Sequence, residues 1–221
     1  MSTDQLVPTV DLNLVFEQWI NSPRLIARMK RERARYGSFI SQTYSDVVTS
    51  KSKSNRSFCH TQRMLDRVLT VYHENPTISQ LKGLLTGDSV NILDFGCGLG
   101  HASLNIATCI PNARIGFIDI TIHRERFAAH LRDLLGLEPL TEYTVDLVIA
   151  TEVLEHMEDP LACIQYLDSR LRTGGVLVTN VADHEPSTLH ISCDLSVVRE
   201  FLTEHYDTIS PERIYVKHLS H

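Results

Sequence analysis

From residue 90 onward, short apolar runs alternate with segments whose apolar positions recur at helical spacing. The runs have the length of buried strands and lie at 90–95, 113–118, 145–150 and 176–181. Helices are predicted at 100–109, 121–135, 152–158, 160–171 and 195–205, and residues 208–218 supply further strand material. This alternation predicts an α/β fold with a mostly parallel sheet and crossover helices.

The chain before this region has a different pattern. Apolar positions at helical spacing recur within 12–36, 58–73 and 77–84, and a polar stretch at 50–57 separates them. We therefore expect two parts, a helical cap or lid over residues 1–85 and a sheet-forming core over residues 86–221.

The composition favours a globular chain in a reducing compartment. Hydrophobic residues make up 43% of the 221 positions, so a sizeable core is expected. No apolar run approaches the roughly 20 residues of a membrane span, and the N-terminal residues do not resemble a secretory signal. The five cysteines are scattered without a C-x-x-C pair, which indicates neither a disulfide framework nor a cysteine zinc site. We expect a cytoplasmic protein that does not enter membranes.

The net charge of −6 is distributed unevenly along the chain. Eleven basic and three acidic side chains lie between residues 24 and 67, so this segment carries +8. Such a segment is typical either of solvated helix faces or of a surface for an anionic partner. Both interpretations stay open at the level of sequence.

Gly96, Gly98 and Gly100 follow the first predicted strand at alternate positions. A strand that turns on glycines into a helix presents backbone N–H groups and a positive helix end to a ligand. The dinucleotide-binding pattern G-x-G-x-x-G requires a glycine where this chain has His101. NAD-dependent oxidoreduction is therefore disfavoured.

The stretch Asp94-Phe-Gly-Cys-Gly-Leu-Gly100 instead resembles the first motif of class I S-adenosylmethionine (AdoMet) methyltransferases. Residues 146–156 and 171–178 resemble later motifs of that family, in the same order. The resemblance implies a Rossmann-like sheet with helices on both faces and AdoMet as cofactor. It places the cofactor against Asp94, Phe95, Gly96, Cys97, Gly98, Gly100, Asp119, Ile120, Thr151 and Glu152.

Asp119 follows the second predicted strand. A carboxylate at the carboxyl end of such a strand can accept both ribose hydroxyls of an adenosine ligand. It can also cap the helix predicted from residue 121, and the two roles are compatible. Ile120 is then expected to pack on the adenine ring.

Glu152, Glu155 and His156 are spaced i, i+3, i+4, which places them on one face of a helix. Two carboxylates and an imidazole can bind a divalent cation when a further ligand is available. His190 is the preferred further ligand and His184 the second choice. This set resembles the metal site of small-RNA 2′-O-methyltransferases, and ubiquinone-pathway O-methyltransferases share a similar Glu-x-x-Glu-His run. The candidate ions are Mn, Fe, Zn and Mg.

Two other roles stay open for these residues. The same run occurs in class I methyltransferases that are not known to need a metal, where Glu152 lies beside the cofactor and His156 shapes the pocket. Alternatively, Glu155, His156 and His190 form the catalytic group, with a histidine as general base, because an ordinary histidine pKa near 6.5 suits proton removal.

The resemblance implies an enzyme that transfers a methyl group to oxygen or nitrogen of a small-molecule acceptor, an anionic one included, with metal assistance if an ion is bound. One alternative is RNA 2′-O-methylation, which the basic segment favours and the overall acidity disfavours. Another is a non-catalytic binding or regulatory protein on a methyltransferase scaffold. The sequence leaves the acceptor undetermined.

The chain departs from the family at both edges of the expected sheet. Between residues 136 and 145 there is room only for a stub of the family's third strand, and the tail after residue 205 is short for its C-terminal hairpin. We therefore expect a shortened sheet. A second copy of the chain, in a homodimer, is one way to cover an exposed edge.

Overall fold

The computed structural model describes residues 81, 83–85, 87–98, 100–120, 122–183, 185, 190–191, 194–210 and 214–218. The predicted helices before residue 81, the basic segment 24–67 and His184 lie outside these residues. No helix in the described ranges is long and apolar enough to cross a membrane.

Seven strands form one sheet in the order β3-β2-β1-β4-β5-β7-β6. Strands β1 to β5 pair in parallel, and β7 pairs antiparallel with both β5 and β6. The strands are β1 Val90–Phe95, β2 Ala113–Ile118, β3 Glu138–Pro139, β4 Val145–Ala150, β5 Leu171–Thr179, β6 Tyr206–Ser210 and β7 Ile214–Lys217. The mostly parallel α/β sheet predicted from the sequence is thereby confirmed.

The helices cover both faces of the sheet. They are α1 His101–Thr108, α2 Ile122–Leu134, α3 Pro160–Arg170 and α4 Ser196–His205. Alternate residues of β1, β4 and β7 enter two separate core clusters, as Ile92 and Leu93 of β1 illustrate. The cluster with Ile92 contains buried residues of α1 and α2, and the cluster with Leu93 contains those of α3 and α4.

The α-helix predicted over 152–158 is wrong. Only a single 3₁₀ turn forms there, Leu154–His156. Glu152 has a φ of 56°, which a right-handed helix does not accept, and Met157 on the other side is extended. The segment therefore makes a bend that ends in one short turn, and side chains at i, i+3 and i+4 no longer share a helical face.

The sheet is short at both edges, as the sequence indicated. β3 has two residues, and its Pro139 has no N–H to offer to a further strand. The C-terminal hairpin is present, with five residues in β6 and four in β7. Asp168 of α3 anchors it, because its carboxylate accepts a hydrogen bond from the Tyr206 hydroxyl at 2.6 Å and pairs with Lys217 Nζ at 3.0 Å. Covering of the β3 edge by a second copy stays a prediction.

Asp94 joins the end of β1 to α1. Its carboxylate is buried and accepts a hydrogen bond from the Ser103 hydroxyl. Burial raises the pKa of Asp94 to about 7; the hydrogen bond from Ser103 opposes this rise, and the charge of Asp119 adds to it. The connection between β1 and α1 is therefore held by a carboxyl group that titrates near neutral pH.

The residues just before β1 belong to the same core as the sheet. Leu81 is fully buried and Leu85 nearly so, and both lie in the cluster that contains α1 and α2. We expect Leu81→Ala to lower the free energy of unfolding by about 2–4 kcal/mol, because it leaves a cavity against the sheet. Leu134→Ala, at a position 42% exposed, is the control and should cost under about 1 kcal/mol. Equal losses in denaturant unfolding would contradict this packing.

The elevated pKa of Asp94 predicts a pH dependence of stability. Between the unfolded value of 3.8 and about 7, the folded chain keeps a proton that the unfolded chain has lost. The free energy of unfolding should therefore fall as pH rises through this window, by at most about 1.4 kcal/mol per pH unit. Asp94→Asn removes this contribution and should gain stability relative to wild type between pH 5 and 8 in urea unfolding. Parallel pH profiles for Asp94→Asn and the surface control Asp88→Asn would rule it out.

Candidate functional site

The candidate site lies where the strand order reverses, between β1 and β4. In the sheet, β2 lies next to β1 on one side of this point, and β5 lies next to β4 on the other. β1 and β4 pair in parallel, with Asp94 opposite Ile149. The two chain segments that leave these strands therefore meet at the same edge of the sheet. Open α/β sheets bind ligands in the crevice at such a switch point.

The glycine turn after β1 is held against the end of β2. The N–H groups of Gly96 and Cys97 both donate to the Ile118 carbonyl, at 2.8 and 3.1 Å. A Cβ on Gly96 would stand 2.4 Å from Val153 Cγ2, so the turn after β4 packs directly on this glycine. At Gly98, whose φ is 54°, a Cβ would meet nothing within 4 Å. The turn is thus packed at its first glycine and open at its second.

Asp119 lies at the end of β2, beside the open part of the turn. Its side chain is 4% exposed, and its Oδ2 accepts the Gly98 N–H at 2.9 Å. Arg124 Nη1 is 3.9 Å from the other carboxylate oxygen, Oδ1. The backbone N–H of Asp119 donates to the buried Glu125 at 2.7 Å, which fixes the chain direction at this point. The buried Asp119 carboxylate therefore lies directly beside the open space next to Gly98.

The side chains next to the glycines belong to the core. Phe95 is buried in the cluster with α3 and α4, and Cys97 in the cluster with α1 and α2. Burial, together with the nearby carboxylates, raises the pKa of the Cys97 thiol well above its usual range, so this cysteine stays protonated and is no nucleophile. Their side chains therefore support the glycine turn from within the core. Ile120 is half-buried at the rim.

The segment that leaves β4 is held by side chains at the end of β5. Thr151 and Glu152 are exposed there. The Glu152 N–H donates to Asn180 Oδ1 at 2.7 Å, and Asn180 Nδ2 donates back to Glu152 Oε1 at 2.6 Å. Sequence reasoning missed Asn180 and Glu125. The sequence could have indicated Asn180, because it is an amide residue directly after a buried strand and therefore lies at the carboxyl edge of the sheet.

Glu155, His156 and His190 form a cluster beside this bend. One ligand atom from each of them lies within 4.8 Å of the others. Glu155 is fully buried and its Oε1 is 3.7 Å from His156 Nε2, while the imidazole rings of His156 and His190 are 5.3 Å apart. The backbone explains the approach, because the Ile191 N–H donates to the Glu155 carbonyl at 2.7 Å and brings the distal segment alongside.

The structure thus divides the predicted metal set into two parts. His190 lies beside Glu155 and His156 although it is distant from them in sequence. The spacing of residues along the chain could not establish this proximity. Glu152 is absent from this group of the described residues, since its carboxylate is bound to Asn180. Three ligands, one carboxylate and two imidazoles, remain for a cation.

The amino-acid sequence and the fold both match known proteins. Residues 93–177 match the family model of a methyltransferase domain. The chain is 25% identical over 145 residues to malonyl-[acyl-carrier protein] O-methyltransferase 2 of Ilyobacter polytropus, covering 59% of this chain and 54% of that protein. It is 27% identical over 126 residues to trans-aconitate 2-methyltransferase of an Enterobacter species, covering 52% and 48%.

Among solved structures, TehB from Haemophilus influenzae superposes with a TM-score of 0.52 at 11% identity, over 66% of this chain and 62% of TehB. This likeness supports the fold alone, and the chain spans about half the length of the two curated relatives. The family match and the sheet topology agree with each other, and the predicted resemblance to class I AdoMet methyltransferases is confirmed. Residues 93–177 thus match a methyltransferase domain and lie in a Rossmann-like, mostly parallel sheet.

Proposed function

We propose that this chain binds AdoMet in the crevice between β1 and β4 and transfers a methyl group to oxygen or nitrogen of a small-molecule acceptor. The observation that carries this proposal is the open backbone at Gly98 beside the Asp119 carboxylate. Two of the curated relatives are named for methylation of a small acceptor group, which supports the acceptor class.

The described residues fit the parts of AdoMet. The space above Gly98, which any side chain there would fill, admits a ligand to the backbone. Asp119 offers carboxylate oxygens to two neighbouring ribose hydroxyls, and half-buried Ile120 offers an apolar surface to a base. Thr151 and Glu152 border the other side of the crevice and offer polar groups to the amino-acid end.

AdoMet, when bound, supplies a methyl group on a sulfonium, which is a good leaving group. The chain has to hold the acceptor in line with that methyl group and remove its proton, so positioning accounts for much of the rate. His156, whose side chain is 18% exposed, is accessible and can take this proton on a ring nitrogen. The Glu155 carboxylate, 3.7 Å away, then stabilises the imidazolium. His190 can do the same from the facing ring.

Metal binding is the competing role of this cluster. One buried carboxylate and two imidazoles suit Zn, Mn or Fe better than Mg, because imidazole is a poor ligand for Mg²⁺. A bound ion would stabilise charge on an acceptor oxygen. It would also occupy the histidine lone pairs that a general base needs, so the two roles exclude each other on the same nitrogen.

We also propose that the cap over residues 1–85 selects the acceptor and excludes water from the crevice. Leu81 and Leu85, which are among the few described residues of this part, lie in the same cluster as the sheet, so the boundary predicted at residue 85 divides residues that share one cluster. The free thiols Cys97 and Cys163 are compatible with a cytoplasmic location, which stays part of the proposal.

Asp119→Ala tests the cofactor assignment. Removing the carboxylate should weaken AdoMet binding at least about tenfold, or 1.4 kcal/mol, in titration calorimetry. Asp207→Ala, on the exposed hairpin, is the matched control and should bind as wild type does. Unchanged affinity of Asp119→Ala, with its melting temperature also unchanged, would remove the ribose assignment.

Activity in the presence of a chelator separates the two roles of the histidine cluster. If an ion is required, a chelator abolishes methyl transfer, added Mn or Zn restores it, and AdoMet affinity stays unchanged. If a histidine is the base, the chelated protein keeps full activity. In both cases His156→Ala should lose at least about a hundredfold in kcat, whereas the exposed His205→Ala should not.

The acceptor class is tested with the same wild-type protein. Methyl transfer to small O- or N-nucleophiles supports the proposal, and transfer to RNA with a steep salt dependence would replace it with the RNA alternative. If the protein binds AdoMet but methylates neither small molecules nor RNA, the result would favour a non-catalytic regulatory protein on a methyltransferase scaffold.

A further inference from the structure

Two consecutive residues at the end of β5 hold the segment that leaves β4. The Thr179 hydroxyl, which is buried, donates to the Ala150 carbonyl at 2.8 Å. Asn180 then makes its reciprocal pair of hydrogen bonds with Glu152. The side chains of the last residue of β5 and of the residue after it thus extend the contact between β4 and β5 beyond the last strand pair, Ala150 and Thr179.

The bend at Glu152 is costly for the chain. Its φ of 56° lies in the left-handed region, which costs a non-glycine residue roughly 1–2 kcal/mol. Asn180 stabilises this conformation, because its amide satisfies the Glu152 N–H and carboxylate together. A glycine at position 152 would adopt the same φ without that cost, yet this chain has a carboxylate there.

The bend faces the glycine turn. Val153, the next residue, packs on Gly96 so closely that a Cβ there would lie 2.4 Å from its Cγ2. Glu152 itself is exposed at this edge. The partner of its carboxylate is a neutral amide, which fixes the direction of the side chain and leaves its negative charge in place.

We propose that Asn180 is a positioning residue that holds the Glu152 carboxylate toward the α-ammonium group of the bound cofactor. The inference rests on the proposed function, since it needs AdoMet in the crevice. It assigns the two glutamates different tasks. Glu155 belongs with the histidines, and Glu152 binds the cofactor through its free carboxylate oxygen.

The demethylated product, S-adenosylhomocysteine, serves as a second probe because it keeps the ammonium group and lacks the sulfonium charge. Asn180→Ala should raise the Kd of both compounds about five- to tenfold in calorimetry. Asn180→Asp keeps the acceptor for the Glu152 N–H and replaces the donor with a second carboxylate. It should preserve the melting temperature to within a few degrees and still weaken both ligands.

A double-mutant cycle tests whether Asn180 acts through Glu152. In the Glu152→Gly background, which needs no support for its φ and has no carboxylate, Asn180→Ala should change either Kd less than about twofold. Asn112→Ala is the matched control, since Asn112 also has a positive φ, of 52°, and donates to the Asp88 carbonyl at the opposite edge of the sheet. Its affinities should equal those of wild type.

The outcomes separate this inference from the proposal beneath it. If the wild-type chain binds neither compound, the proposed function fails. If it binds both and the Asn180 variants bind as well as wild type, only the positioning role fails. The same holds if Asn180→Ala weakens binding equally in the Glu152→Gly background, or if AdoMet alone is affected.

Discussion

The parallel pairing of β1 with both β2 and β4 is the constraint on which the site depends. β1 lies between β2 and β4 and runs parallel to both. The segments that follow β2 and β4 therefore begin at the same edge of the sheet as the glycine turn after β1. This brings Asp119 from one side and the Glu152 bend from the other to a single crevice. The packing of Val153 on Gly96 shows how close the approach is, since no side chain fits between the two turns.

The crevice is surrounded by carboxyl groups in different environments. Asp94 is buried behind the turn and has a pKa raised to about 7. Asp119 accepts a backbone N–H and keeps its position at the rim. Glu155 is buried with two imidazoles, and Glu152 is exposed and bound to an amide. The Asp119 and Glu152 carboxylates beside the open backbone suit a cationic ligand with hydroxyl groups better than a phosphate.

The spacing of Glu152, Glu155 and His156 shows where sequence reasoning reached its limit. The i, i+3, i+4 pattern predicts a shared face only if the segment is an α-helix. Here the hydrogen bonds of Asn180, twenty-eight residues later, hold Glu152 in a left-handed conformation and reduce the helix to one 3₁₀ turn. Local periodicity carries no information about such a partner, so the sequence grouped two glutamates that the fold separates.

The sequence by itself determined the order of strands and helices, the glycine turn and the family. Apolar runs of strand length and a turn that needs glycines are local properties, and they persist whatever surrounds them. β2 and β4 therefore have the predicted bounds, and the stub at β3 follows from the few residues available. Only the tertiary structure decided which polar groups meet. A backbone hydrogen bond between distant segments brings His190 to Glu155, and the pairing of β4 with β5 brings Asn180 to Glu152. Neither contact can be read from sequence separation, because each depends on how distant parts of the chain pack.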